Sequence, residues 1–365
     1  MKTVRRLLYR DIVSSVAFVG VAFLSLFFFI DLVDQLDSVG QRGRTLGVAV
    51  TTALLALPGH AYELLPIAVL IGTIYALSRM AQSSEFTILR TGGLGPRRAL
   101  LLLAMLGVAF AALTFVVGDI VAPASERQAV LLKARAAGGL QLSGPGAWLK
   151  ERRDTPQGPL SVSVNVGGLN ADGTMRDVRV FVFDTDGRLQ QRLAAPRAEV
   201  AEGGWLLADA VSQQWPAGDG SVAVERTASL HWPSTLDAQV VAAALLPAET
   251  MTTVELWRYS RHLQAQDQAA QRYELQFWKR ALYPLACIVM VALALPFAYL
   301  SARAGGVSLK VFGGIMLGIS FVLLNNIAGH IGALSDLTPW MVSAAPGLLY
   351  LLLSLAAFAW LVRYR

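Results

Sequence analysis

Hydrophobic and polar positions divide the chain into two apolar blocks flanking a central block whose side chains alternate. A bilayer core about 30 Å thick is crossed by roughly 20 apolar residues at ~1.5 Å each in a helix. Residues 12–30, 99–117, 281–300 and 340–362 meet that length without a charge, and 311–331 is interrupted only by Asn325, Asn326 and His330. The stretch 48–77 carries Pro58, Gly59, His60, Glu63 and Pro66, yet is long enough to span with a kink where proline removes a helix hydrogen bond. The pattern predicts six transmembrane helices, three on each side of the central block. The two halves share no evident sequence repeat, so the layout implies topology without internal duplication.

From about residue 121 to 276 the period changes. Ser161-Val162-Ser163-Val164-Asn165-Val166 alternates strictly, as a half-buried strand does. Further strands are expected at 178–183, 205–210, 221–226 and 229–232, separated by turn signals at Asp172-Gly173, Asp186-Gly187, Gly203-Gly204 and Gly218-Asp219-Gly220. Many short strands joined in this way predict a sandwich or jelly-roll-like domain. Residues near 124–137 and 250–278 read as helical connectors.

Charge orients the spans. Lys2, Arg5, Arg6 and Arg10 precede the first helix, and Arg79, Arg90, Arg97 and Arg98 lie between the second and third. Arg303 and Lys310 lie between the fourth and fifth, and the chain ends Arg363-Tyr364-Arg365. Residues 332–339 hold no Lys or Arg, so the positive-inside rule predicts both termini in the cytoplasm and the central block outside it. The basic start and apolar stretch of residues 1–30 resemble a signal peptide, but the run is long and no small-residue cleavage motif follows; it reads as a retained first helix.

Composition agrees. Hydrophobic residues make up 55% and charged residues 15%, where a soluble protein carries about 25% charged. The net charge of +6 is spread over helix ends with no polybasic stretch, which excludes nucleic-acid binding. The single cysteine, Cys287, sits in an apolar run and can form no intrachain disulfide. There is no GxxxxGK[ST] loop, HExxH pair or GxSxG elbow, and the 4 histidines are scattered, so no catalytic, cofactor or metal site is expected. His60 and Glu63 share a face of the second span, and Asn325, Asn326 and His330 lie in the fifth; interhelix packing and a wet cavity are the expected roles, ahead of a proton path or metal site.

The loop from Arg79 to Gly93 is the most informative segment. Ser83 or Ser84 is suited to cap a short helix, Phe86 and Leu89 share one face, and Gly92-Gly93 ends it. Such a helix, with Glu85 among exposed apolar residues, fits a groove on a soluble partner. It equally fits an interfacial helix lying on lipid, with Arg79 and Arg90 as anchors.

Val33-Asp34-Gln35-Leu36 after the first span, Met80-Ala81-Gln82-Ser83-Ser84-Glu85 with Gly92-Gly93 after the second, and Val121-Ala122-Pro123 after the third together resemble the LptF/LptG family of lipopolysaccharide exporter permeases. The likeness covers the whole chain, and Asp-Gln-Leu with the short basic C-terminus is most similar to the LptG type. The resemblance implies residues 1–123 as helices one to three with a coupling helix at about 80–92. It also implies 124–276 as a periplasmic β-jelly-roll domain with helical connectors, and 277–365 as helices four to six. It implies a non-catalytic subunit in the inner membrane, paired with an LptF-type permease, with ATP and Mg bound by a dimeric LptB-type ATPase. LptC-like and LptA-like bridge proteins would receive the lipopolysaccharide. Glu85 would be the coupling acid, with Ser84, Phe86, Leu89 and Arg90 beside it.

A phosphorylated lipid suits a basic collar at the outer leaflet. Lys133, Arg135, Arg272, Lys279 and Arg280 are its candidates, with Asp34 at a lateral gate; ordinary headgroup anchoring and a solvated loop acid are the plain alternatives. Val180, Phe181, Val182 and Phe183 are candidates for an acyl-chain trough, or else for the core of the β-domain. LptG-type members carry lysines where this chain has Asp31 and Gly59, so contacts made by those lysines do not transfer. Rival readings are a permease for another envelope lipid or for lipoproteins, and a non-transporting assembly scaffold.

Overall fold

A computed structural model describes residues 2–37, 39–40, 45–93, 95–136, 146–155, 158–170, 174–201, 203–215, 222–234, 236, 248–265, 270–299, 306–335 and 337–364. The expected turns at 172–173 and 218–220 and the cation Arg303 lie outside these residues. The chain forms two compact units: a helical one (Met1–Gln35, Ala53–Glu126, Gln271–Arg365) and a second one (Leu36–Thr52, Arg127–Ala270) that holds the strands.

The helical elements are α1 (Lys2–Leu36), α2 (Leu46–Gln82), α3 (Glu85–Thr91) and α4 (Pro96–Val116), which runs through a π turn (Val117–Val121) into α5 (Ala122–Ala136). After the strands come α6 (Thr253–Ala265), α7 (Gln271–Leu282), α8 (Leu285–Tyr299), α9 (Val307–Leu334) and α10 (Pro339–Tyr364). Among the described residues, 5 helices are long and apolar enough to cross a membrane: α1, α2, α4 with its continuation, α9 and α10. The bent pair α7–α8 makes a sixth if it is counted as one span.

That bend corrects an expectation. Residues 281–300 read as one uninterrupted helix, but the chain turns by 46° between α7 and α8. Pro284 is the cause: it has no N–H to give and its ring crowds the preceding turn. The hydrogen bonds Ala286 N to Tyr283 O and Cys287 N to Pro284 O restart the helix with a tighter pitch. By contrast α2 continues through both Pro58 and Pro66.

α2 lies at the centre of the helical unit. In its most apolar window 72% of the residues are buried, against 6% for α1. Backbones meet closely: a Cβ at Gly72 of α2 would lie 2.6 Å from Val16 N and Cα of α1, and one at Gly107 of α4 would lie 2.9 Å from Ile288 Cα of α8. Small residues of this kind let membrane helices approach where no hydrophobic effect drives them together. Tyr9 Oη donates to Leu102 O at 2.8 Å, and Thr114 Oγ1 lies 3.1 Å from Cys287 Sγ, so polar contacts pin α1 to α4 and α4 to α8.

The described strands are β1 (Ala147–Thr155), β2 (Gly158–Leu169), β3 (Met175–Phe183), β4 (Leu189–Ala201), β5 (Gly204–Gln214) and β6 (Ala223–Pro233). They form one 6-stranded antiparallel sheet in chain order, without the crossover expected of a jelly roll. Val162, Val164 and Val166 stand opposite Val182, Val180 and Val178, so the alternation read in the sequence sets the register. Those valines, Leu149, Leu193, Trp205 and Leu207 form one core. A single sheet buries them by curling: Glu151 of β1 accepts from Ser234 Oγ just beyond β6 at 3.0 Å, and Trp205 Nε1 donates to Leu236 O at 2.9 Å. Among the described residues, β1 and β6 share no ladder, and side-chain hydrogen bonds such as Ser234 to Glu151 bridge the seam.

Asp184 Oδ1 accepts from the N–H groups of Asp186 and Arg188, and Gly187 takes a φ of 76°, which makes the predicted turn before β4. The expected strands at 221–226 and 229–232 are one strand, β6, from Ala223 onward. Of the connectors expected near 124–137 and 250–278, the described residues form helices α5, α6 and the start of α7, and residues 137 and 266–269 lie outside what is described.

Candidate functional sites

The segment α3 is built to be held on one side and free on the other. Phe86 is 3% exposed, with its ring 5.2 Å from Tyr299 of α8 and edge-on at 82°. Leu89 packs against the same core, while Ile88 is 67% exposed and Glu85 is exposed. The shared face of Phe86 and Leu89 therefore turns inward. The expectation of outward apolar residues holds for Ile88 and fails for Phe86, because the ring finds the end of α8.

The expected cap differs too. Ser84 has a φ of 61°, not the extended conformation of a capping residue, and its carbonyl accepts from Ile88 N at 3.0 Å. Ser83 Oγ instead donates back to Met80 O at 3.3 Å. The end is as predicted: Gly93 has a φ of 98° after the last helical residue, and Gly92 N donates to Ile88 O. Arg90 belongs to α3, with its side chain outside what is described. Arg79 at the end of α2 pairs with Asp11 of α1 at 2.9 Å, so this cation, expected as a lipid anchor, also ties two helices.

A second polar group lies where α1 and α2 run side by side. Asp31 Oδ2 is 2.7 Å from His60 Nε2, both side chains being about one-fifth exposed, and Phe27 stacks near the imidazole at 4.8 Å. Gly59 is hemmed in: a Cβ there would come within 2.6 Å of Glu126 Oε1. The two positions at which lysines were expected are thus one residue apart in space through His60, and are flanked by acids. Tyr283 Oη donates to the backbone oxygen of Glu63, and the rings of Tyr62 and Tyr283 meet tilted at 48° with centroids 4.9 Å apart, so Glu63 borders an aromatic contact between α2 and the α7–α8 break. Among the described residues no three His, Cys, Asp or Glu side chains converge. Asp34, one turn beyond Asp31, is exposed.

The basic collar separates on inspection. Arg272 is exposed at the start of α7, Lys279 is half-buried, and Arg280 is buried at 7%. Consecutive residues on a helix point about 100° apart, so Lys279 and Arg280 cannot line one surface together. Lys133 is half-buried on α5, and the side chain of Arg135 lies outside what is described. The four candidate trough residues separate in the same manner. Val180 and Val182 are in the buried core of the sheet, while Phe181 lies on the other face, stacked on Trp148 at 5.7 Å with Arg192 over its ring. Phe183 alternates with Val182 and is half-buried. A period of two forbids one wall made of all four.

Sequence reasoning missed the latch between α5 and α6. The guanidinium of Arg127 binds the Glu255 carboxylate and Thr250 O, and Thr252 and Glu255 exchange hydrogen bonds between side chain and backbone at 2.8 and 3.3 Å. This is a capping box, legible as Thr252-Thr253-Val254-Glu255. Burial pushes the Glu255 carboxyl up, but the Thr252 N–H and the Arg127 cation outweigh it and hold it below the usual range.

Comparison with known proteins matches residues 6–362 to the family described as lipopolysaccharide export system permease LptF/LptG. Curated relatives include the lipopolysaccharide export system permease protein LptG of two Escherichia coli strains, each 25% identical over 331 residues that cover 89% of both chains. The protein of the same name from Haemophilus influenzae is 24% identical over 357 residues, 97% of both chains.

Proposed function

Because the chain belongs to the LptF/LptG family of lipopolysaccharide export system permeases, we propose that it is an LptG-type subunit that extracts lipopolysaccharide from the inner membrane of a Gram-negative cell. The subunit is non-catalytic, and ATP with Mg is hydrolysed by a dimeric LptB-type partner. An LptF-type permease pairs with it, and LptC-like and LptA-like proteins take the lipid onward. Both termini face the cytoplasm, six spans run three and three, and the antiparallel sheet stands in the periplasm on the lipid's way out.

The observation that carries this reading is α3. Its exposed Glu85 and Ile88 suit a groove on the ATPase, while Phe86 grips Tyr299 on α8. A push on α3 is thereby delivered to the end of a membrane helix, because packed side chains transmit displacement without yielding much. The alternative of α3 as a lipid-surface helix is less well supported, since its larger apolar residue is already used inward. Headgroup contacts fall to the basic residues Arg272, Lys133 and Arg135, as Asp31 and Gly59 supply no cation.

Glu85→Lys tests the coupling. The variant should retain its helical content yet lose co-purification with the ATPase and lipopolysaccharide release from proteoliposomes. Wild-type release by Glu85→Lys would sink the assignment of this acid.

A further inference from the structure

We infer that a cavity among α7, α8, α9 and α10 binds one acyl chain of an anionic lipid, with Lys279 at its headgroup. The cavity measures about 150 Å³ and is walled mostly by apolar side chains, among them Phe321, Leu348 and Leu351. At ~30 Å³ per water-sized group it holds about five such groups, which is one end of a hydrocarbon chain. Leu348 and Leu351 are 54% and 37% exposed, so the mouth opens sideways through apolar side chains, as entry from a bilayer requires.

Lys279, Asn325 and Ser343 break the apolar wall, together with Tyr283, whose hydroxyl donates to Glu63 O. Lys279 has no ion pair among the described residues, and its ammonium rests over Gly329, where a Cβ would lie 1.9 Å from Nζ. Any side chain at 329 would displace that cation. Ser343 is 8% exposed and its hydroxyl has no hydrogen-bond partner among the described residues. Neighbouring serines behave differently: Ser320 of α9 donates to Leu317 O, and Ser335 just after α9 donates to Ile331 O. An unpartnered buried hydroxyl and a half-buried ammonium are each costly. An anionic headgroup with a polar linkage satisfies both, while the chain fills the apolar part. The chemistry is a monoanionic head, phosphodiester or carboxylate, on an acyl chain. This assignment concerns a site inside one permease and does not depend on the cargo proposed above.

The test uses the full-length permease with its co-expressed assembly, stripped of lipid by detergent washing. It is titrated with dioleoylphosphatidylglycerol, dioleoylphosphatidylethanolamine or oleate, and bound molecules are counted by native mass spectrometry. One phosphatidylglycerol or one oleate should bind, with about a fivefold preference for phosphatidylglycerol over phosphatidylethanolamine. Binding of only the former or only the latter anion identifies the head as phosphodiester or carboxylate. Lys279→Gln should bring the preference to unity. Ser343→Val, which removes a hydroxyl with no partner to lose, should keep the melting temperature and weaken binding of both anions. Equal binding of the two phospholipids by the wild type overturns the proposal. So does an unchanged preference in Lys279→Gln, or no binding above background.

Discussion

Replacing Phe86 with alanine should detach α3 and, on the proposed function, uncouple the partner's ATP hydrolysis from transport. The helix has 7 residues, too few to hold itself in water, so its order depends on what anchors it. Phe86 is 3% exposed and packs edge-to-face on Tyr299. Truncating a buried phenylalanine to alanine costs about 3–5 kcal/mol. The lower value corresponds to roughly a 100-fold shift in the docking equilibrium. Hydrogen exchange on the peptide spanning residues 83–93 reads this directly, since Ile88 N–H and Gly92 N–H are bonded only within the segment. Their protection should fall about 100-fold in Phe86→Ala. Ile88→Ala, at a side chain 67% exposed, should leave protection near that of the wild type and weaken association with the ATPase instead. In proteoliposomes holding the proposed assembly, Phe86→Ala should lower the amount of lipopolysaccharide moved for each ATP hydrolysed by the partner. Wild-type protection in Phe86→Ala would refute the anchoring argument, because the segment would then be held by something other than this ring.

Gly72→Ala should destabilise the full-length protein by about 1–3 kcal/mol in thermal melts, since the two nearest Val16 atoms, N and Cα, are backbone and cannot swing away. Gly20→Ala, with nothing within 4 Å, is the control and should melt like the wild type. Trp205→Phe should cost about 1–3 kcal/mol by leaving the Leu236 carbonyl without its donor, whereas Trp148→Phe, at a residue 54% exposed, should shift stability by less than about 0.5 kcal/mol. Glu255 binds its proton more weakly folded than unfolded, so its contribution is complete above the ordinary value of ~4.3 and is lost as pH falls through the depressed folded value. Wild type should therefore melt above Glu255→Gln at pH 7, and the gap should close on acidification; a gap constant with pH would contradict the latch.

Chain order and the type of most elements were legible in the residues, because both follow from local periodicity, whereas the ends of many elements were not. The valine alternation in 161–166 reappears as the ladder between β2 and β3, and uninterrupted apolar runs become α1, α4 and α10. Two strands were not legible. In β1, Lys150-Glu151-Arg152-Arg153-Asp154 masks the pattern, and in β4 Ala194-Ala195-Pro196 lacks β-branched residues. Both are held by neighbours on the sheet, so pairing overrides their weak propensity.

Tertiary structure alone decided direction. Periodicity puts Phe86 and Leu89 on one face, and only the position of Tyr299, more than two hundred residues later, turns that face inward. The sequence holds Asp31 and His60 as separate polar interruptions; their 2.7 Å contact requires α1 and α2 to run side by side. Helical bonds join residues four apart and can be read from a window, whereas contacts between distant helices depend on which backbones approach. Here glycines such as Gly72 permit that approach, and no local pattern announces the partner.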